Sequence, residues 1–247
     1  NYPELTSEKY MYTFDLWFLY ALKESDVQWT WARPMSLLQQ PPLPPAEKRP
    51  EPLFVASNCN NQRAQFVRQL MGEMDVVSMG PCMNNFHPGD FPVRDLFTSE
   101  KAQGMQRPFR FYLSFENTRC RDYVTEKFWN SMIRGNLPVV IGAPNIAEFA
   151  PSNDSFIDAT LFPNARALAA ELKRLQTDDA AYEAFFAWKS RPLEQLNPRF
   201  VKLVRDVEAA PFSERMCAKI EDKFAGAPSP PARAPLTVDG DQGCITN

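Results

Sequence analysis

The side chains of this chain that are best placed for chemistry lie between Phe109 and Gly142. Glu126 and Lys127 begin a predicted helix that follows the apolar strand FRFYLSF and the polar loop ENTRCRDYV. A helix N-terminus attracts anions through its free N–H groups and the macrodipole, so Lys127 can contact a phosphate while Glu126 accepts hydrogen bonds from ribose hydroxyls. Adjacent helical residues point roughly 100° apart, so the two need not pair. An ordinary first-turn glutamate beside an exposed lysine is the alternative.

Three further residues are candidates for the same ligand. Arg63 follows the strand LFVAS at the start of a helix, where a planar guanidinium can clamp a diphosphate; a solvated helix arginine is the alternative. Asn117 can hydrogen-bond a ligand oxygen, and Tyr123 can lie against a sugar or a base. Polar residues at the end of a strand are also common turn formers, so Asn117, and equally Glu116 before it, can simply fix the loop.

These residues depend on a strand–loop–helix–strand unit for their position. Thr125 is a predicted N-cap and Gly135 a predicted C′ residue of the helix, and LPVVIG is the second strand. The alternation continues through residues 53–190, with strands at DVVSM and SFIDA and helices at QRAQFVRQLMGEM, NARALAAELKRLQ and the Thr177-capped DDAAYEAFFAWK. This order predicts an α/β domain with a parallel sheet, which binds ligands at its carboxyl edge. A sugar nucleotide or another phosphorylated ligand is expected there.

The chain of 247 residues divides into four predicted parts. An aromatic-rich block covers 1–38, a proline-rich and semi-rigid linker covers 39–52, the α/β domain covers 53–223, and a Pro-, Gly- and Ala-rich tail predicted to be disordered covers 224–247. A net charge of −3 argues against a general nucleic-acid binder. The sequence has neither a spanning segment of about 18 apolar residues nor a visible signal peptide.

Five cysteines and one histidine limit the possible metal chemistry. The cysteines show no CxxC spacing, and His87 lies among turn residues, so the sequence does not predict a zinc site. Cys59 and Cys82 follow successive strands at the same sheet edge, which predicts a disulfide between them. Asn153 opens an N-glycosylation sequon, which is occupied only in a secretory setting.

FYLSFEN, DYVTEKFW and GNLPVVIG together resemble the signature of the α1,3-fucosyltransferases, glycosyltransferase family 10. That signature reads roughly FYLAFENS, a spacer, DYVTEKF and then G-x-PVV-x-G. The surrounding order of VASNCNNQR, VVSMGPCMNN, SFIDA and YEAFFAWK fits as well. The resemblance covers residues 53–190 well and residues 1–35 loosely.

The resemblance implies a GT-B-type fold with a Rossmann-like, C-terminal donor lobe that binds GDP-fucose, and a remnant of the N-terminal acceptor lobe in 1–38. The implied reaction is an inverting transfer of L-fucose to a hydroxyl of a glycan or glycoprotein acceptor, with O3 of GlcNAc expected. Arg63 and Lys127 would neutralise the departing diphosphate, Glu126 would hold the ribose, Tyr123 would contact the nucleotide, and Asn117 would line the donor pocket. No cofactor is then required, although stimulation by Mn²⁺ is left open.

One departure from the family concerns the catalytic base, which the family places on a glutamate in an ESP-like motif just before an N-Y segment. This chain opens at NYPEL without that motif, so the base is expected upstream of Asn1, and Glu4 is weakly placed to replace it. We therefore expect an intact donor lobe with weak or absent transfer. A noncatalytic member that binds a nucleotide sugar is the alternative.

The resemblance leaves the acceptor open among an N-glycan core GlcNAc, an N-acetyllactosamine GlcNAc and a protein hydroxyl. The cysteines, the sequon and the proline-rich segment favour the eukaryotic members, which are type II Golgi membrane proteins, over the bacterial ones that lack an anchor. The expected location is therefore the lumenal side of the Golgi membrane, with the anchor outside this chain.

Overall fold

The computed structural model describes residues 32–59, 62–86, 104–210 and 214. Most of the predicted 1–38 block, His87, the segment DLFTSEKAQ, which also predicts a helix, and the 224–247 tail lie outside these residues. Among the described helices, none combines the length and the apolar character needed to cross a bilayer.

The described strands form a five-stranded sheet in which all neighbouring strands are parallel. The strands are β1 (Leu53–Val55), β2 (Val77–Met79), β3 (Phe111–Phe115), β4 (Leu137–Ile141) and β5 (Ile157–Asp158), in the order β2-β1-β3-β4-β5. The chain first extends the sheet from β1 to β2, then returns to the other side of β1 and continues outward through β3, β4 and β5. The reversal places a topological switch point between β1 and β3, which is where open α/β sheets bind ligands.

Six described α-helices accompany the sheet: α1 (Met35–Leu38), α2 (Gln62–Met71), α3 (Glu126–Arg134), α4 (Ala165–Thr177), α5 (Asp179–Ala184) and α6 (Pro198–Ala209). Short 3-10 turns lie at Pro45–Glu47, Ile146–Glu148, Ala159–Leu161, Ala187–Ser190 and Leu193–Gln195. The predicted Rossmann-like α/β fold is thus confirmed. Thr177, the predicted N-cap of the helix that is α5, is instead the last residue of α4. The N-cap of α5 is Asp178, whose side chain accepts the N–H of Ala181.

Helices cover both faces of the sheet, which explains the nearly continuous apolar strands. Phe111, Leu113 and Phe115 of β3 share one buried cluster with α2 and α4. Val140 of β4 points into a second cluster, where Trp129 of α3 packs with residues of α1 and α6. β3 is buried at all five positions, so it forms the central strand of the core.

The segment expected to link two lobes packs on this domain. Pro42 packs against Gly135, where a Cβ would lie only 2.8 Å from the Cα of Pro42. Gly135 also has a left-handed φ of 71° and ends α3. The ammonium of buried Lys48 donates to the carbonyls of Gly135 and Phe109. Arg49 pairs with Phe109 in a parallel bridge. The 39–52 segment therefore caps the carboxyl end of α3.

Candidate functional site

A pocket of about 440 Å³ opens at the carboxyl edge of the sheet, beside the switch point. Its walls come from the start of α2, the loop after β3, the end of β4 and the turn after β5. The lining residues are Gln62, Arg63, Phe66, Glu116, Asn117, Thr118, Arg119, Ile141, Ala159, Thr160 and Phe162. Two of the five predicted donor residues, Arg63 and Asn117, thus line one cavity.

Arg63 stands on the first turn of α2 and is only 8% exposed. Its Nη1 donates to the carbonyl oxygen of Phe115, the last residue of β3, at 2.9 Å. Burial lowers the pKa of the guanidinium, and the nearby carboxylates of Glu116 and Glu126 oppose that shift. Its Nε is buried without a hydrogen-bond partner in the described part of the chain. The side chain is therefore fixed at one end and keeps one buried N–H donor without a partner among the described residues.

Glu116 follows β3 directly and is buried at 4% exposure. One carboxylate oxygen, Oε1, accepts the N–H of Thr125 at 2.7 Å and its hydroxyl at 2.8 Å. Thr125 does occupy the predicted N-cap position of α3, but its hydroxyl makes no capping bond. Gly142 leaves room for this arrangement, since a Cβ there would lie 3.1 Å from Cγ of Glu116. Glu116 therefore fixes the entry to α3, the role that the sequence offered as an alternative.

Lys127 lies between two carboxylates. Its Nζ is 3.2 Å from Oε2 of Glu116 and 3.0 Å from Oε1 of Glu126, and it also donates to the Thr125 hydroxyl at 2.9 Å. The sequence did not require Glu126 and Lys127 to pair, and the structure shows that they do.

These contacts set the protonation of the cluster. Burial raises the pKa of Glu116, with Lys127 opposing the shift and Glu126 adding to it. Burial also acts to raise the pKa of Glu126, but the ammonium of Lys127 and its hydrogen bond hold it below the ordinary value. Although burial works against the charged amine, the carboxylates of Glu116 and Glu126 raise the pKa of Lys127. Lys127 is therefore a stable cation beside the pocket.

The other predicted residues occupy different settings around this cluster. Asn117 is exposed at the pocket wall. Tyr123 is half-buried, and its N–H donates to the carbonyl of Cys120 at 3.2 Å. Tyr123, Glu126 and Lys127 are not part of the pocket lining, and Glu116 separates Lys127 from the cavity. Their roles in donor binding stay predictions.

Asp122 holds the loop that carries Tyr123 and was missed by the sequence reasoning. It adopts a left-handed φ of 64°. Its N–H donates to Oδ1 of Asn145 at 2.9 Å, and its own Oδ1 accepts from Asn145 Nδ2 and from Nη2 of Arg199, each at 2.8 Å. The loop after β3 is thereby tied to the turn after β4 and to α6. The signal in the sequence was the aspartate in DYVTEKFW, but its partners are distant in the chain.

Cys59 and Cys82 are joined by a disulfide across a sequence separation of 23 residues, which is the predicted pairing. Cys120, in the loop after β3, is also disulfide-bonded. Asn153 of the sequon is exposed. Among the described residues, no group of three or more His, Cys, Asp or Glu side chains is placed to hold a metal ion.

Comparisons with known proteins agree with the motifs. Residues 45–224 match the family model described as glycosyltransferase family 10 (fucosyltransferase) C-term. The chain is 39% identical over 166 residues to GDP-fucose protein O-fucosyltransferase 3 of Homo sapiens, covering 64% of this chain and 34% of that protein. It is 36% identical over 179 residues to a putative fucosyltransferase-like protein of Arabidopsis thaliana, covering 71% of this chain and 32% of that protein. The chain spans about a third of the length of these relatives.

The fold also agrees with solved structures. A crystal structure of an alpha1,3-fucosyltransferase with GDP-fucose matches with a TM-score of 0.52 and 24% sequence identity, covering 67% of this chain and 48% of that chain. This likeness shows the fold, which is that of the GT-B-type α1,3-fucosyltransferases. From the extent of the family match, together with this fold, the chain belongs to glycosyltransferase family 10, the fucosyltransferases.

Proposed function

We propose that this chain forms the donor-binding lobe of a fucosyltransferase and that its pocket binds GDP-fucose. The observation that carries the proposal is the location of the pocket. It opens at the switch point of a family-10 domain, and Arg63 forms part of its wall. Glu116 also lines the pocket, and its carboxylate pairs with the ammonium of Lys127. Sites of this kind bind nucleotide diphosphates at the carboxyl edge of the sheet and at a helix N-terminus.

The proposed reaction is an inverting transfer. The acceptor oxygen attacks the anomeric carbon of fucose from the face opposite the nucleotide, a base takes the acceptor proton, and the bond from the anomeric carbon to the β-phosphate oxygen breaks to release GDP. Negative charge then grows on the diphosphate, where Arg63 and Lys127 stabilise it. A phosphate that draws the Lys127 ammonium away frees Glu126 to accept hydrogen bonds from the ribose. Asn117 and Tyr123 contact the fucosyl or nucleoside part.

The general base in this proposal comes from outside the described lobe. Among the residues that line the pocket in the described part of the chain, Glu116 is the only carboxylate, and both of its oxygens are engaged by Thr125 and Lys127. A carboxylate held in this way is poorly placed to take a proton from an acceptor. The family resemblance places the base on a glutamate of the acceptor lobe.

For the acceptor, we favour a protein hydroxyl, because the relatives that are 36–39% identical include GDP-fucose protein O-fucosyltransferase 3. O3 of GlcNAc is the second candidate, and it rests on the motif resemblance to the α1,3-fucosyltransferases. Radiolabelled GDP-fucose offered to folded secretory protein domains and, separately, to GlcNAc-terminated oligosaccharides distinguishes the two. Label retained after N-glycan removal from the protein supports the first.

The donor proposal is tested by calorimetric titration of the purified chain with GDP. Replacing Lys127 or Arg63 by Ala should weaken binding by about 1.5–3 kcal/mol, the typical contribution of a charge-assisted hydrogen bond. Arg68→Ala is the matched control, because Arg68 is an exposed cation on the same helix as Arg63. A folded chain that does not bind GDP, or variants that bind as the parent does, would contradict the donor assignment.

We further propose that turnover requires no cofactor, since cationic side chains neutralise the diphosphate. Activity of the full-length protein in EDTA, compared with activity in added Mn²⁺, checks this and measures any stimulation. The Cys59–Cys82 disulfide and the exposed sequon at Asn153 support a lumenal location, which we propose to be the Golgi. Immunolocalisation and sensitivity of the protein to N-glycosidase test it.

A further inference from the structure

Arg119 is a cation of the pocket wall to which the family signature assigns no role. It lies in the spacer between FYLSFEN and DYVTEKFW, on the loop after β3. Arg119 lines the pocket together with Arg63. The Nε atom of Arg119 is buried and has no hydrogen-bond partner in the described part of the chain, as is also true of Nε of Arg63. Two guanidinium groups with unused buried donors therefore border the same cavity.

The charges around the pocket distinguish Arg119 from the other cations near it. The carboxylates of Glu116 and Glu126 both interact with Lys127 by ion pairing and with Arg63 by electrostatic attraction. Those two anions balance those two cations, so they leave little net field for an incoming anion. Arg119 makes no ion pair with any described residue, in contrast to Arg121, which pairs with Glu148 at 3.2 Å. The excess positive charge of the site is therefore that of Arg119.

An arginine with unpaired donors inside a ligand pocket suits an oxyanion. A buried N–H that lacks a partner is costly, and an oxygen atom of a ligand removes that cost. The guanidinium fork also matches the spacing of phosphate oxygens, which lets it bind two of them at once. The second guanidinium, Arg63, is anchored on the carbonyl of Phe115 and cannot turn far to follow a ligand.

We propose that Arg119 and Arg63 clamp the donor diphosphate between them, and that Arg119 makes this site prefer a nucleoside diphosphate over a monophosphate. The proposal rests on the donor function proposed above and adds a residue that sets its specificity. Arg63 holds one phosphate group against the end of β3, and Arg119 closes on the other from the loop. Lys127, at the N-terminus of α3, then binds a phosphate oxygen in place of one of its two carboxylate partners.

The test is the ratio of GDP affinity to GMP affinity, measured by calorimetry on the 247-residue chain. Arg119→Ala should lower that ratio about tenfold, because loss of one charge-assisted phosphate contact corresponds to at least that factor. Arg119→Lys keeps the charge without the fork and should lower the ratio by a smaller factor. Arg121→Ala, two positions along the same loop and outside the pocket lining, should leave the ratio within about twofold.

The outcomes distinguish the role proposed for Arg119 from the donor function on which it rests. If the parent binds GDP and Arg119→Ala leaves the affinities for both GDP and GMP unchanged, Arg119 faces something other than the diphosphate, such as the acceptor, and the clamp is wrong. If GDP and GMP weaken equally, the contact does not distinguish the second phosphate, and the specificity claim is wrong. If the folded parent does not bind GDP, the donor function itself fails. Circular dichroism confirms folding, and Arg119→Lys carries the test if the alanine variant unfolds.

Discussion

The ammonium of Lys127 lies 3.2 Å from a carboxylate oxygen of Glu116. This ion pair joins the loop after β3, which lines the pocket, to the first turn of α3. Both side chains are largely buried, with 14% and 3% of their areas exposed. In such surroundings, removing one partner strands a charge and costs more than the pair contributes when intact. Replacing either residue therefore changes both the stability of the loop after β3 and the net charge beside the pocket.

The first prediction concerns Glu116. Glu116→Ala should lower the free energy of unfolding by about 2–4 kcal/mol, because it strands the Thr125 N–H and leaves the buried Lys127 with one carboxylate fewer. Glu116→Gln should cost less, since its amide oxygen can still accept the Thr125 N–H. Urea denaturation followed by tryptophan fluorescence measures both. Equal losses for the two variants would show that the hydrogen bond to Thr125 contributes nothing.

The second prediction concerns Asp122, which acts as a positioning residue. Asp122→Ala should weaken GDP binding about tenfold and lower stability by about 1–3 kcal/mol, because it removes acceptors for Asn145 and Arg199 while the left-handed φ remains. Asp122→Asn should recover much of both, since asparagine tolerates that φ and keeps an acceptor oxygen. Calorimetry gives the affinity and urea denaturation the stability.

A purely structural role for Asp122 predicts a different pattern. Stability would then fall in Asp122→Ala while the folded fraction bound GDP with parental affinity. The comparison of the two variants at temperatures where both are fully folded therefore decides whether this residue shapes the loop that carries Tyr123 or only supports the fold.

The third prediction is a pH dependence of stability from Lys48. Burial, with neighbouring cations at Lys189, Arg107 and Arg110, lowers the pKa of Lys48 from 10.5 to about 7. Because the folded pKa lies below the unfolded one, the unfolded chain binds more protons between these values, so the free energy of unfolding rises as pH increases from about 7 toward 10. Burial also lowers the pKa of Lys189, to about 8, which adds to the same trend.

Lys48→Met tests this directly. The gain in unfolding free energy between pH 7 and pH 9.5 should shrink by about 2–3 kcal/mol in the variant, because the titrating group is gone. Lys202→Met, which removes a lysine that is 72% exposed, should leave the gain unchanged. Measurements stop below pH 10, since burial raises the pKa of Tyr182 and reverses the trend above that. A parental slope in Lys48→Met would contradict the assignment.

The fourth prediction concerns the disulfide. Replacing both Cys59 and Cys82 by Ser should lower the free energy of unfolding by about 3 kcal/mol, as expected from the entropy of a closed loop of this length. The bond fixes the chain just before α2, so the double variant should also bind GDP more weakly through Arg63. Thermal unfolding of the double variant and of the parent, both without reductant because Cys120 is also disulfide-bonded, gives the first effect. A variant that keeps parental stability would mean that the loops are ordered without the bridge.

Much of the fold follows from local pattern. The strand at Phe111–Phe115, the helix at Glu126–Arg134 and the left-handed Gly135 were predicted from short stretches, because a buried strand, an amphipathic helix and a glycine C′ each leave a mark within about ten residues. The signature motifs also identified the family. These features are determined by residues that are close together in the sequence.

The site itself depended on contacts between residues that are far apart in sequence. Nothing local shows that Glu116 reaches Thr125 and Lys127, that Arg199 holds Asp122 from 77 residues away, or that Lys48 caps the carboxyl end of α3. The sequence by itself determined the elements and the types of side chain at the sheet edge. Only the tertiary structure decided which charges neutralise one another, because ion pairing and burial arise when the loops are brought together by packing.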